Sequence, residues 1–445
     1  MPISTSNASL SLSSLDKGEC VMVADFTNKS VKGRDVVLIN PIFNGGGDHV
    51  MANKIANIAL DEGCRVTISA VDINNFYQVN TRNLSLRDAE PHEMGALNNP
   101  VFVVAPVGIL SIEKLNRHID LLCEQNQFSK KDIVLIEEMD LLPSPRQELA
   151  VYEAELRGSG FKNVSVNRLG FGEGSIGYLP TDSNTIDVIK QRFEGELLKL
   201  MDGYNMSLAK DSNYHLAYIS SNLFVTGSEV FIANTLVETM GSEADSNFIM
   251  VLRQLSDYSV PVLTAGLKYI LQKKTGECDI SALFSEATVF FYNSHSGELD
   301  RSIKIVGEGR KNVNIVVTGS LPNNIFEDFM CLAQSGMASG DQSLSEFLSM
   351  TGKMPYYDMQ PWKYPLVQAI EKRGGEELKD VISQKVVGMM PFNGEKRYQF
   401  IPSLTQPHPS PDFFHKQNEL DQSLSSNTAT EAIKELFKLA GKNSE

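Results

Sequence analysis

The stretch "RDVVLINPIFNGGGDHVMANKIANIALDEG", Arg34 to Gly63, changes its hydrophobic rhythm once. Val36 to Ile39 is an unbroken apolar run bounded by charge, the pattern of a strand buried on both faces. From Val50 the apolar residues Val50, Ile55, Ile58 and Ala59 recur at helical spacing, and Gly63 follows as a C-cap signal. Between strand and helix lie Gly45, Gly46, Gly47, Asp48 and His49. A strand that passes through a short loop into a helix is the opening unit of a parallel sheet.

The unit repeats. "CRVTISAVD", "NPVFVVAPVG", "KDIVLIEEMD" and "KNVSVNRLGFG" read as further strands, and "SIEKLNRHIDLLCEQN" and "RQELAVYEAELRGSG" as helices. Alternation with short connections predicts a doubly wound sheet covered by helices on both faces. The expected division is a flexible N-terminal segment over 1–30, a Rossmann-like domain over 31–180 and a linking helix over 181–212. A second series then fills a Rossmann-like domain over 213–391. There "YHLAYISS", "VPVLTAG", "ATVFFYNS", "KNVNIVVTGSLP" and "KMPYYD" read as strands, while "DSNFIMVLRQL" is ambiguous. "GSEVFIANTLVETMGS", "DQSLSEFLSMTG" and "QPWKYPLVQAIEKRGG" read as helices. A Pro-rich connector and a C-terminal helix, "ATEAIKELFKLAGK", complete the chain over 392–445.

Composition narrows the class. The 445 residues carry a formal net charge of −15, which argues against a nucleic-acid surface and against adsorption to anionic membranes. The five cysteines are scattered and form no C-x-x-C, so neither a disulfide framework nor a zinc site is expected. The polar, Ser-rich start lacks the basic and apolar regions of a signal peptide. No apolar run reaches membrane-span length. The expectation is a cytoplasmic protein; the acidic charge, Ser-rich start and loose tail also fit a bacterial effector exported into a host cell.

Three segments carry candidate chemistry. Ligands of open parallel sheets bind at the carboxyl ends of strands, which is where "NGGGDH" falls. Its glycines leave the backbone approachable, and the helix behind offers amide groups and a positive dipole end. The simpler reading of Asp48 is a helix cap. No Gly-Lys-Ser/Thr follows, so this is not a P-loop. "GEGSIG", Gly172 to Gly177, fits a dinucleotide fingerprint, but Pro180 follows where a helix should open, so it reads as a loop at the sheet edge. In the second domain, Gly319-Ser320 ends one strand, and Gly340, Asp341, Gln342 and Ser343 open a helix that carries Glu346. Helix amides and a hydroxyl there suit an anion; the simpler reading is a capping box between Ser343 and Glu346.

The whole arrangement resembles the GT-B glycosyltransferases. Their second domain presents a Gly-rich loop, a helix with Ser or Thr and an acidic residue, and a "GKP"-like turn. "GDQSLSEFLSMTGKMP" supplies Gly340, Ser343, Glu346, Gly352, Lys353 and Pro355, with Met354 inserted. "GDQS" is similar to the "GEDS" donor loop of the protein-arginine rhamnosyltransferases. "GGGDHV" resembles both the Gly-Gly-His loop of lipid-linked N-acetylglucosaminyl transferases and the Asn-x-Gly-Asp loop of the arginine rhamnosyltransferases. The first comparison makes His49 the base, the second Asp48; Asp48 is the expected base, with His49 the close alternative.

The resemblance implies two Rossmann-like domains facing a central cleft. It implies a metal-independent, inverting transfer of a hexose or deoxyhexose from a nucleotide-sugar to a protein or small-molecule acceptor, with no cofactor. No D-x-D triplet of the metal-dependent transferase fold is present. Gly319, Ser320 and Gly340 to Ser343 would hold the diphosphate and Glu346 a ribose hydroxyl. Gly45 to Gly47 would give the donor room. Beside the resemblance, Gln360 and Trp362 in "YYDMQPWKYP" read as lining a sugar or acceptor pocket, the simpler reading being a hydrophobic anchor for the helix that Pro361 starts. A nucleotide-sugar epimerase, a pyruvyl-type transferase and a non-catalytic nucleotide- or glycan-binding protein are the alternatives.

Overall fold

The computed structural model describes residues 13–15, 19–26, 34–42, 46–80, 97–107, 111–139, 145–191, 212–220, 227–253, 255, 259–272, 274–275, 278–293, 296–359, 363–391, 398–400 and 411–442. The chain forms two compact units, Met1–Leu179 with Thr428–Glu445, and Pro180–Asn427.

The first unit is built on a sheet of seven strands: β1 (Ser13–Leu15), β2 (Glu19–Phe26), β3 (Asp35–Asn40), β4 (Arg65–Ala70), β5 (Val101–Val104), β6 (Asp132–Glu137) and β7 (Asn163–Arg168). Their order is β1-β2-β4-β3-β5-β6-β7, with β4 to β7 parallel and β1 and β2 added antiparallel at one edge. β3 pairs on both sides and is buried at every position, and burial of both faces accounts for its unbroken apolar run. The chain steps from β3 out to β4 and then crosses back to β5. That reversal makes the carboxyl ends of β3 and β5 the topological switch point, where ligands of such sheets bind. Strands β1 and β2 lie in the stretch expected to be a flexible lead-in; side-chain alternation is weak there and the pairing with β4 is long-range.

Helix α1 (Gly46–Asp61) follows β3 directly and buries Met51, Ala52, Ile55, Ala56 and Ala59. Gly63 at φ 78° ends the turn beyond it, as its position in the sequence suggests. The helices α2 (Ile73–Val79), α3 (Ile112–Asn126) and α4 (Pro145–Gly158) complete the layers. The "GEGSIG" segment closes on itself through a bridge between Gly170 and Gly177 and opens no helix.

The second unit begins with α5, helical over 183–191. It continues with β8 (Asn213–Ile219), α6 (Gly227–Glu238), β9 (Ser246–Leu252), α7 (Ser259–Leu271), a ribbon of β10 (Lys274–Thr275) and β11 (Cys278–Asp279), β12 (Glu286–Tyr292), β13 (Leu299–Val306) and β14 (Asn312–Thr318). It then runs through α8 (Asn323–Leu332), β15 (Ser335–Ala338), α9 (Asp341–Thr351), β16 (Tyr356–Met359), α10 (Tyr364–Lys385), β17 (Val386–Pro391), β18 (Tyr398–Phe400) and α11 (Pro411–Ser425). Its main sheet runs β13-β12-β14-β9-β8-β15-β16-β17-β18, parallel except for the two edge strands β13 and β18. The order reverses between β8 and β15, so the second switch point lies at their carboxyl ends.

"VPVLTAG" is a correction: it belongs to helix α7, not to a strand. Its β-branched residues suggest a strand, but Pro261 sits in the first turn, where a missing N–H costs nothing, and the apolar pattern runs on to Leu271. "DSNFIMVLRQL" resolves as β9, buried along its length. The tail holds two helices. α11 belongs to the second unit; α12 (Thr430–Lys442) returns to the first, where it packs on α1 and buries Ile433 and Phe437. Ala429 N–H donates to Tyr178 O at 2.8 Å and fixes the point of return. Among the described residues no helix is long and apolar enough to cross a membrane.

His118 of α3 gives the first unit an acid-sensitive point. Its ring is buried, its Nε2 lies 3.0 Å from Ser69 Oγ, and burial pushes its pKa down to about 4. The unfolded chain takes up this proton near pH 6.5, the folded chain only near 4, so stability falls as pH drops through that window. The gap is worth about 3 kcal/mol. His118→Gln, which can keep the bond to Ser69, flattens the fall in melting temperature between pH 6.5 and 4.

Candidate functional site

The two switch points carry the two glycine loops that stand out in the sequence. In the first unit, β3 ends at Asn40, whose side chain is fully buried. Its Nδ2 donates to Ala105 O at the end of β5 (2.8 Å) and to Asp48 O in the first turn of α1 (3.3 Å). One amide thereby ties together both strands of the switch point and the helix entry. Its Oδ1 lies 2.7 Å from His49 Nδ1.

His49 is the third link of the cluster. Its side chain is 0% exposed and its ring stands edge-on to Phe76 of α2, centroids 5.7 Å apart. Asn80 Nδ2 donates to the His49 carbonyl (3.2 Å) and to Phe76 O (2.9 Å), which holds the backbone of the turn. Among the described residues His49 Nε2 has no hydrogen-bond partner although it is buried. Buried polar atoms are otherwise almost always satisfied, so this one calls for an account. Burial lowers the pKa of the ring; the charge of Asp72, which caps α2 through Asn75 N–H, opposes that.

Asp48 lies beside His49 and is half-buried. Since α1 begins at Gly46, Asp48 is its third residue and not its N-cap, though a carboxylate in the first turn is still favoured by the helix dipole. Gly46 and Gly47 are exposed on the same turn. Gly45 lies outside the described residues.

In the second unit Ser339 ties the switch point. Its Oγ accepts from Ser220 N–H (2.7 Å) beyond β8 and donates to Tyr218 O (3.0 Å) within it. The chain then turns through Gly340 into α9. Ser343 Oγ donates to Gly340 O (2.9 Å) and accepts from Gly340 N–H (3.2 Å). The capping pair expected between Ser343 and Glu346 therefore takes another form: Ser343 serves Gly340, and Glu346, buried, accepts from Gln342 Nε2 at 3.0 Å. Asp341 pairs with Lys363 Nζ at 3.0 Å, both largely buried. Gly319 and Ser320 lie at the end of β14, with Ser320 Oγ donating to Arg253 O (3.2 Å) at the end of β9. They share the carboxyl edge with Gly340 but stand three strands away, roughly 14 Å at the usual strand spacing. Gln360 and Trp362 lie outside the described residues.

Lys363 and Arg253 were not among the sequence candidates. Lys363 opens α10, one strand along from Gly340, and Arg253 follows β9, so both put cations at the same edge. The signal that finds them is topological: each is a basic residue that follows a strand end by a few positions.

Gly46 and Gly340 share a further property. Neither has positive φ. A Cβ on Gly46 would meet nothing within 4 Å among the described residues, and one on Gly340 would touch only Ser343 Oγ at 3.6 Å. Among the described residues neither conformation nor packing requires glycine at these positions. Gly336 is the contrast: a Cβ there would lie 1.8 Å from the Phe347 ring, so that glycine is demanded by packing.

No protein-family model and no curated protein matches the sequence. Solved structures do. The chain is similar to a UDP-forming α,α-trehalose-phosphate synthase from Burkholderia xenovorans, with 11% identity over 92% of this chain and 99% of that one, at a TM-score of 0.41. It is similar to the α,α-trehalose 6-phosphate synthase of Burkholderia multivorans, with 10% identity over 92% and 96% and a TM-score of 0.43. It is similar to S. aureus MnaA in a co-structure with UDP, with 9% identity over 92% and 97% and a TM-score of 0.42. Likeness at this level describes the course of the backbone and carries nothing about activity.

Proposed function

We propose that the chain is a glycosyltransferase of the GT-B type that draws on a nucleotide-sugar. The second unit would bind the donor's diphosphate at the start of α9. First-turn amides have no intrahelical acceptor and meet an anion with the positive end of the helix dipole. Arg253 would add charge at the same strand ends, while Lys363 is held in its ion pair with Asp341. In the first unit His49 Nε2 or the Asp48 carboxylate would accept the acceptor's proton as its oxygen attacks the anomeric carbon. The bond from that carbon to the phosphate oxygen breaks, and the amides and the Arg253 cation stabilise the departing diphosphate. This electrostatic set is compatible with the metal-independent reaction expected from the sequence.

The observation that carries this reading is the repetition of one device. Each unit places, at the switch point of its own sheet, a glycine its own fold does not require. Such a glycine is set apart by its place at a strand-end switch point, where a backbone without a Cβ lets a ligand come close. A dinucleotide enzyme would need one such loop with the fingerprint spacing, which neither has.

The test has two arms. A panel of nucleoside diphosphates should raise the melting temperature, and one nucleotide-sugar should release its nucleoside diphosphate faster when acceptor is added. Turnover of a nucleotide-sugar without any acceptor would indicate an epimerase instead. Stabilisation by nucleotide with no turnover under any acceptor would indicate a binding protein. No stabilisation by any nucleotide overturns the donor-site assignment.

A further inference from the structure

We propose that Asn40 is a positioning residue that fixes the tautomer of His49 and makes its Nε2, in preference to Asp48, the proton acceptor of the site. The proposal rests on reading this switch point as the base side of a transferase. It goes further in naming which atom does the work and which side chain sets it.

The argument begins with Asn40. Its amide nitrogen faces two carbonyl oxygens, Ala105 O at 2.8 Å and Asp48 O at 3.3 Å. Two carbonyls can only accept, so the group between them must be the NH₂ and the amide cannot be flipped. Its Oδ1 is then the atom that meets His49 Nδ1 at 2.7 Å. An amide oxygen has no proton to give, so Nδ1 must carry the hydrogen and donate it. In a neutral ring the other nitrogen, Nε2, is then bare and holds the lone pair.

Two further facts agree. The ring is fully buried, and among the described residues Nε2 meets no partner. An imidazolium there would be a buried charge, so burial favours the neutral ring, and the contact with Asn40 Oδ1 decides which nitrogen carries its hydrogen. Among the described residues the charged and titratable groups facing the ring are few. Asp72 acts on it from the junction of β4 and α2, and Asp48 precedes it on its own helix. α2 presents the Phe76 ring and the Asn80 amide, both uncharged, and β5 contributes the Ala105 backbone. A neutral ring with a fixed, bare Nε2 is the form a general base requires. Asp48 is half-buried on the exposed side of the first turn, and its main-chain oxygen is what Asn40 uses.

The experiment reads the tautomer directly and does not depend on knowing the substrate. Long-range ¹⁵N–¹H correlation spectra of the uniformly labelled full chain at pH 7 distinguish the protonated from the bare ring nitrogen, and the His49 signals are assigned by their loss in His49→Gln. The expected result is a single neutral form with hydrogen on Nδ1. Asn40→Ala, which removes the oxygen that holds the Nδ1 hydrogen, should convert it to a mixture of tautomers. With substrate in hand, Asn40→Ala should lower kcat at least tenfold with nucleotide binding unchanged. A wild-type ring protonated on Nε2, or an Asn40→Ala ring still wholly in the wild-type tautomer, overturns the proposal. Should Asn40→Ala fail to fold, the wild-type spectrum still decides, since hydrogen on Nε2 overturns the assignment. The correct tautomer in a protein that turns over no nucleotide-sugar would defeat the functional reading and leave the tautomer assignment standing.

Discussion

Replacing His49 with glutamine is expected to reduce turnover by about 10² to 10⁴, the usual contribution of a positioned general base. Glutamine occupies similar volume and can still bond to Asn40 Oδ1 through its own amide, so the cluster that joins β3, β5 and α1 is kept. What it loses is a nitrogen able to accept a proton near neutral pH. Nucleoside diphosphate affinity should be unchanged, because the proposed diphosphate site belongs to the other unit. Asp48→Asn should lower turnover by less than tenfold through the altered charge of the first turn. The measurement is initial rate against nucleotide-sugar for the two variants, with melting temperature and nucleotide binding as controls. Full activity in His49→Gln with loss in Asp48→Asn would reverse the assignment and make the carboxylate the base.

The sequence shows the layers of this protein more clearly than its sites. The strand at Val36 to Ile39 and the helix behind it are legible because one is apolar without interruption and the other is periodic. The strand β15, Ser335–Ala338, is not legible. Three small residues and one methionine have no pattern, and the strand exists because it pairs with β8, more than a hundred positions earlier. Without β15 the second switch point cannot be located, and Gly340 looks like any loop glycine. α7 misleads for the opposite reason, since local β-branching is outvoted by the packing of a long apolar face. The candidate residues divide along the same line. Asp48, His49 and Gly340 are conspicuous as residue types beside glycines. That His49 points inward to Asn40, or that Asp341 meets Lys363 across 22 positions, follows only from the way the strands are ordered.

The strongest contrast between packing and ligand space lies in two glycines four positions apart. Gly336→Ala puts a Cβ 1.8 Å from Phe347 Cζ and about as close to the rest of that ring edge, with 2.4 and 2.5 Å to its neighbours. Phe347 is 2% exposed in a core with Tyr214, Phe329 and Met350, so the ring has nowhere to go. Overpacking of this kind costs about 3 kcal/mol, which lowers the melting temperature of the second unit by roughly 10 °C. Gly340→Ala meets only Ser343 Oγ at an ordinary 3.6 Å, and its backbone, φ −136° and ψ 157°, suits any residue. Alanine is a poorer N-cap than glycine, but it also restricts the unfolded chain, and the two effects nearly offset, leaving stability within about 0.5 kcal/mol of wild type. The added methyl would nevertheless occupy the face where amides meet the diphosphate, so affinity for nucleoside diphosphate should fall tenfold or more, about 1.4 kcal/mol. Calorimetry and nucleotide titration of the two variants at low temperature separate the effects: Gly336→Ala should bind once folded, and Gly340→Ala should fold and bind weakly. A Gly340→Ala protein that binds nucleotide as well as wild type would return this glycine to the status of an ordinary loop residue and remove the donor site from α9.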